Sequence, residues 1–462
     1  MMFRKSEICK AIGTALLALF IGPHIPSALF KLTLGPTALA AAPTPTSPQA
    51  GPRTVQNVGA VPPEYQSLYS KLEARLSSFD KKLDSLSNGS RYPVVMSAGL
   101  VTANPNSGDA LLTPETYDLS VRYLDSLLGL GVRGIALDIK FTLLDPIFRG
   151  TEKSNEYLNF YRKLVSEIKT RGLSISIEVQ PVFPDFSPLP VRSYYQKLTF
   201  ETYKTRVLAM LKTVAAELKP DYLTVANEPD TAAGNTGFPL DELDVSVEEV
   251  KLFVFELEKL GLGSVKYGAG FGNWQKDYQA WAQEYSNIPE LDFLNVHIYP
   301  ADGDLLDRVL TISDMAKGKR KGLTVHESWL WKWQVGEHIN DIVAQGDIYA
   351  RDTYSFWQPL DSKFVAILFK LGQVKKFDFI SPFWSCYFFM YFDYAEVKSL
   401  PGKMLLRAAL VNGATAALEG RITATGEAYR RLISEGRGDG LQAKLEELRQ
   451  AFKDLSQARQ AG

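Results

Sequence analysis

The stretch Leu173 to Pro181, LSISIEVQP, alternates without a break. Ile175, Ile177 and Val179 share one face, while Ser174, Ser176, Glu178 and Gln180 share the other. Successive side chains of a strand point to opposite sides, so this strand has an apolar face and a polar face. In an open parallel sheet both faces are covered by helices, and strands read as continuous apolar runs. In a closed barrel the apolar face meets the surrounding helices and the polar face can line the lumen. The run Val132 to Phe141 (VRGIALDIKF) repeats the pattern, with Ile135, Leu137 and Ile139 opposite Ala136, Asp138 and Lys140.

Outward from these two, further strand-like runs begin near Tyr92, Tyr222, Val265, Phe293, Leu323 and Phe377. Amphipathic helices fill the gaps. Thr113-Pro114-Glu115 supplies a capping residue and a proline at the first helical position, and Gly131 closes that helix. Leu158, Tyr161, Leu164, Val165 and Ile168 make an apolar stripe on the next, which Gly172 ends. Eight strand–helix units in one run predict an α/β fold, a (β/α)8 TIM barrel over residues 91–436.

The flanks differ in character. Residues 1–40 read as an export signal: Arg4, Lys5 and Lys10 precede an apolar core (Ala11 to Ile21), and Ala38-Leu39-Ala40 offers a small-x-small cleavage site. A retained anchor is the alternative. Residues 41–63, rich in Pro, Ala and Thr, form a linker. Leu72, Leu76, Phe79, Leu83 and Leu86 make a helical seam within residues 64–90, and Leu441, Leu445, Leu448, Phe452 and Leu455 make another within 437–462. These seams are the N-terminal and C-terminal helical extensions, expected to pack on the body. The predicted location is secreted, periplasmic or at the cell envelope, with the oligomeric state left open.

Composition narrows the function classes. Lys+Arg number 51 and Asp+Glu 52 among 462 residues, a net charge of -1 that lacks the basic surface nucleic-acid binding needs. Of two cysteines, Cys9 lies in the export signal, so Cys386 closes no bridge within the mature chain. Beyond His24 the histidines are His297, His326 and His338, with no HExxH or CxxC spacing, so neither a metal nor a cofactor is predicted. The run Gly268-Ala269-Gly270-Phe271-Gly272 fails the dinucleotide spacing and reads as a place of close backbone approach.

Barrel chemistry sits at the C-terminal ends of strands. There the fourth strand carries Asn227-Glu228-Pro229, the sixth His297-Ile298-Tyr299 and the seventh His326-Glu327. Two glutamates facing each other across the mouth suit retaining glycoside hydrolysis, in which one protonates the leaving oxygen and the other attacks the anomeric carbon. Parity places Glu327 with Leu323 and Val325, so the strand end must twist or bulge to aim it inward.

These three motifs on these three strands resemble clan A of the glycoside hydrolases. The resemblance implies a retaining β-glycosidase without a cofactor, acting on an oligo- or polysaccharide. It makes Glu228 the acid/base and Glu327 the nucleophile, with Asn227 on the sugar 2-hydroxyl, Tyr299 on the Glu327 carboxylate and His297 in the same subsite. Two departures leave the sugar open: Lys140 stands where many members have arginine, and Gln180 occupies the third strand's rim, where a histidine is common. Both are candidate substrate contacts. So are Trp274, Trp329 and Trp384, whose flat faces suit the C–H face of a sugar ring. The alternative reading is a non-catalytic carbohydrate-binding barrel of the cell envelope.

Overall fold

The computed structural model describes residues 54–55, 58–89, 91–334, 337 and 342–437. The expected export signal, most of the linker, the second seam and His338 lie outside the described residues.

Eight parallel strands form the sheet: β1 (Val95–Gly99), β2 (Gly134–Phe141), β3 (Ser174–Pro181), β4 (Tyr222–Ala226), β5 (Lys266–Gly272), β6 (Phe293–Pro300), β7 (Gly322–Val325) and β8 (Phe379–Ile380). Each pairs with its successor, and β8 pairs with both β7 and β1, so the sheet closes. The molecule is a TIM barrel. Helix α1 (Gln66–Leu86) precedes the barrel. The wall comprises α2 (Pro114–Gly129), α3 (Thr151–Thr170), α4 (Phe200–Leu218), α5 (Leu243–Glu258), α6 (Tyr278–Asn287), α7 (Leu305–Gly318) and α8 (Gln358–Lys375). It is completed by α9 (Gly402–Leu418) and α10 (Ala424–Arg437).

Local chemistry sets these elements. The Thr113 hydroxyl accepts from the Thr116 N–H at 3.3 Å and starts α2. Gly131 and Gly172 take φ of 88° and 69° after α2 and α3, a region glycine enters without a Cβ clash. Ile175, Ile177 and Val179 of β3 are buried toward the helices.

The lumen is layered. Ala136, Tyr222, Phe293 and Phe379 cluster with Val95 at its N-terminal floor. Above that apolar plug lie Ser176, Glu178, Asn295, Thr324 and His326, all buried and all hydrogen-bonded across strands. The plug keeps water from entering below, so the polar layer is reached from the mouth.

Helix α1 lies on α8 and buries Leu72, Leu76, Phe79 and Leu83. Lys71 pairs with Asp302 at 2.9 Å and Arg75 with Asp307 at 2.5 Å. Such partly exposed pairs contribute about 0–1 kcal/mol each, against about 1.5–3 kcal/mol for each buried apolar side chain. The seam holds this helix to the body, and the ion pairs set its register.

Candidate active site

Both strand ends that carry the glutamates are irregular. The pairing of β4 with β5 shifts register between Thr224 and Ala226, and Glu228 then takes φ 44°, ψ 65°. A non-glycine residue in this left-handed region is strained and needs its surroundings to hold it. The seventh strand breaks after Val325 and resumes as Ser328–Trp331, paired with β6 through a second register shift. Glu327 lies in the break, its carbonyl accepting from Ile298 N–H at 3.1 Å. The break turns its side chain from the helix side to the lumen, as the parity of the sequence requires.

The two carboxyl groups meet at one imidazole. His297 Nδ1 is 2.7 Å from Glu228 Oε1 and 3.7 Å from Glu327 Oε2, and Nε2 is 3.0 Å from Glu178 Oε2. Tyr299 O–H donates to Glu327 Oε2 at 2.7 Å. Asn227 Nδ2 donates to Glu178 Oε2 at 3.0 Å, while its buried Oδ1 has no partner. Glu228 and Glu327 each keep 8% of their surface exposed, whereas Glu178 and His297 keep none. The glutamates line the mouth, and the other two lie beneath it.

Electrostatics follow from this packing. Burial pushes the Glu178 carboxyl up, but the charge and hydrogen bond of His297, with His326 and Lys140, bring it down to about 2. Burial disfavours a charged His297 ring, yet Glu178, Glu327 and the hydrogen bond to Glu228 hold its pKa well above the ordinary value. Glu327 goes the other way. Burial, then the charges of Asp138, Glu228 and Glu178, raise it to about 8 against the pull of His297. The sequence reading placed the ionised carboxylate on Glu327; this environment favours its protonated form.

Glu178, His297 and Glu327 also present atoms within 4.8 Å of one another, close enough in principle to hold a cation. Both ring nitrogens already face carboxylate oxygens, which takes up the atoms through which the ring would bind a cation.

The remaining sequence candidates divide into two groups. Trp274 and Trp384 stay half-buried at the mouth. Trp274 stacks at a tilt 6.1 Å from Tyr299 and donates to Asp230 Oδ2 at 2.9 Å. Lys140 and Gln180 turn inward instead. Lys140 Nζ donates to Gln180 Oε1 at 2.6 Å, and Gln180 Nε2 donates to Glu178 Oε1. Their polar ends are taken up by each other and by Glu178, so they support the lumen layer rather than meet a ligand. Trp329 requires a correction as well. Strand parity buries it against Tyr387 and Phe388 with 1% exposure, which removes it from the sugar-contact set.

Three residues near the pair were not in that set. Asp230 is raised by burial and by the Glu228 charge. Tyr349 is likewise raised by burial, then by Glu228 and Glu327. Trp331 stacks on Tyr349 at 5.1 Å. Asp230 follows Glu228 by two positions and could have been found from that spacing. Tyr349 comes from a distant loop helix and carried no signal.

No protein-family model matches the chain, and no curated protein does. Among solved structures it is similar to an exo-β-1,4-mannosidase from Opitutaceae bacterium strain TAV5, at TM-score 0.45 and 13% identity over 77% of this chain and 61% of that one. It is also similar to a GH113 β-1,4-mannanase, at TM-score 0.40 and 8% identity over 70% and 99%. A third is a β-glucosidase from Thermotoga maritima, at TM-score 0.37 and 10% identity over 58% and 77%. The barrel itself rests on its own strand pairing.

Proposed function

We propose that this protein is a retaining glycosidase that cleaves a β-linked glycan by double displacement, with Glu228 as acid/base and Glu327 as nucleophile. The observation that carries the reading is one His297 nitrogen in reach of both carboxyl groups, at 2.7 and 3.7 Å. Those two distances together bound the separation of the two oxygens below the roughly 6.5 Å at which the inverting range begins.

In the first step Glu327 attacks the anomeric carbon while Glu228 protonates the departing glycosidic oxygen. In the second, Glu228 takes a proton from water as that water displaces Glu327. The unpartnered Oδ1 of Asn227 suits a sugar hydroxyl. Tyr299 orients the Glu327 carboxylate, and Trp274 and Trp384 offer flat apolar faces to the ring. The two glutamates must share one proton, and it must stand on Glu228 in the reactive complex. We also propose that the protein is exported. A mature N-terminus beginning near residue 41, read from protein recovered outside the cytoplasm, supports that; recovery in the cytoplasm alone contradicts it, and an exported protein that starts at Met1 carries a retained anchor.

A panel of aryl β-glycosides tests the activity. Glu228→Ala should lower turnover by about 10²–10⁴-fold, and azide should restore it by yielding a β-glycosyl azide. Glycan binding by the wild-type protein without turnover on any member would point instead to a non-catalytic carbohydrate-binding barrel.

A further inference from the structure

Glu178 is a buried carboxylate below the rim, with four neighbours aimed at it. Asn227 Nδ2 and Asn295 Nδ2 donate to its Oε2 at 3.0 and 2.9 Å, Gln180 Nε2 donates to Oε1, and His297 Nε2 stands 3.0 Å from Oε2. Lys140 backs Gln180 from β2. A carboxylate that receives this many donors is held in its ionised form. It therefore takes an N–H from His297 Nε2, which also has the Asn227 amide nitrogen 2.6 Å away, and the opposite nitrogen faces Glu228 Oε1 at 2.7 Å. A neutral imidazole has one N–H, so with Glu178 taking it the Nδ1–Glu228 contact needs a second proton, which stands on the ring whenever Glu228 is ionised.

We propose that Glu178 is a positioning residue: its carboxylate holds His297 as an imidazolium beneath the mouth, and that fixed cation sets how Glu228 and Glu327 divide their proton. This rests on the glycosidase reading and extends it to a residue that does not touch substrate. The charged and titratable groups around the ring are Glu178 on β3, Glu228 after β4, Glu327 and His326 after β7, and Tyr299 on its own strand. Asp138 on β2 reaches the cluster through His326 Nε2 at 3.2 Å, and Lys140 adds a positive charge near Glu178. Glu178 anchors the ring from below, while the two mouth glutamates face it from above.

The sign of the effect follows from which charge weighs more on Glu327. Losing Glu178 removes a negative charge near Glu327, and it also releases the positive charge 3.7 Å away. His297 weighs more on Glu327 than Glu178 does, so the nucleophile becomes harder to ionise, by up to about one pH unit.

The test is ¹³C NMR of histidine-labelled full-length protein, with the His297 signal assigned by its absence in His297→Gln, alongside the pH profile of kcat/KM on an aryl glycoside. In the wild-type protein the His297 ring should stay protonated from pH 5 to pH 9. In Glu178→Gln, an isosteric change whose folding is checked by its melting curve, the ring should titrate within that range, and the acid limb of the profile should move to higher pH. A wild-type ring that titrates near its ordinary value overturns the proposal, whether or not the variant folds. So does a variant with lower kcat but an unmoved limb and a ring still protonated. Absence of turnover in the wild-type protein would remove the glycosidase reading, while the ring titration would still decide whether Glu178 holds the imidazolium.

Discussion

Tyr299 and Glu327 show how one hydroxyl and one carboxyl divide the demands of the mouth. The Tyr299 O–H donates to Glu327 at 2.7 Å, which favours the ionised carboxylate that the proposed attack requires. Tyr299→Phe should lower kcat/KM by about 10-fold, the worth of one hydrogen bond to a charged group, with the acid limb displaced upward. Initial rates across pH check this, and an unchanged rate would separate Tyr299 from the chemistry. Glu327 itself is raised to about 8. As the proposed nucleophile it must lose its proton, so kcat/KM should climb through the neutral range instead of levelling off near pH 5. The glutamates and the His-x-Tyr were legible because strand ends mark the mouth of any barrel. That Lys140 and Gln180 bond each other and Glu178 instead of reaching the mouth was not, because the cluster is tied to His297, 119 positions from Glu178.

Helix α5 and strand β5 each carry a feature that packing explains. On α5, Glu249 faces a cavity of about 30 Å³ shared with Ser246, Phe253 and Tyr285, room for about one water molecule. Ser246 and Tyr285 bond each other at 2.8 Å, and Glu249 Oε1 has no partner. Burial, opposed weakly by Lys204, raises its carboxyl to about 8. The folded state thus binds a proton that the unfolded chain, near 4.5, has released. Stability from this group is full below about pH 4.5 and falls as pH rises toward 8, by on the order of 1–4 kcal/mol. Glu249→Gln should leave the melting temperature unchanged at pH 5 and raise it by a few degrees at pH 8; equal shifts at both would contradict the burial account. On β5, a Cβ on Gly270 would sit 1.9 Å from the Asn295 carbonyl oxygen. Gly270→Ala should prevent soluble expression or cost several kcal/mol in denaturant melts, since the clash is with backbone. The close approach of those glycines was readable from their spacing, whereas the unpaired Glu249 looked like any helix-surface glutamate.

The body extends beyond the eight units. Leu76 of α1 is fully buried, so Leu76→Ala should cost about 2–5 kcal/mol in urea unfolding, while Lys71→Ala should cost less than about 1 kcal/mol. Barrel closure was legible in the sequence because period-two alternation appears in β2 and β3 and the strand–helix count reaches eight. Where α1 docks was not, since a heptad seam specifies an apolar stripe and not its partner. The folded barrel brings two glutamates from β4 and β7 to one imidazole, and the proposed chemistry depends on that convergence. Labelling with 2-deoxy-2-fluoro β-glycosyl fluorides, followed by peptide mass spectrometry, tests it most directly. The account predicts a covalent sugar on the peptide carrying Glu327 and nowhere else; a sugar on Glu228, or a protein that hydrolyses aryl β-glycosides yet traps no adduct across the panel, would contradict it.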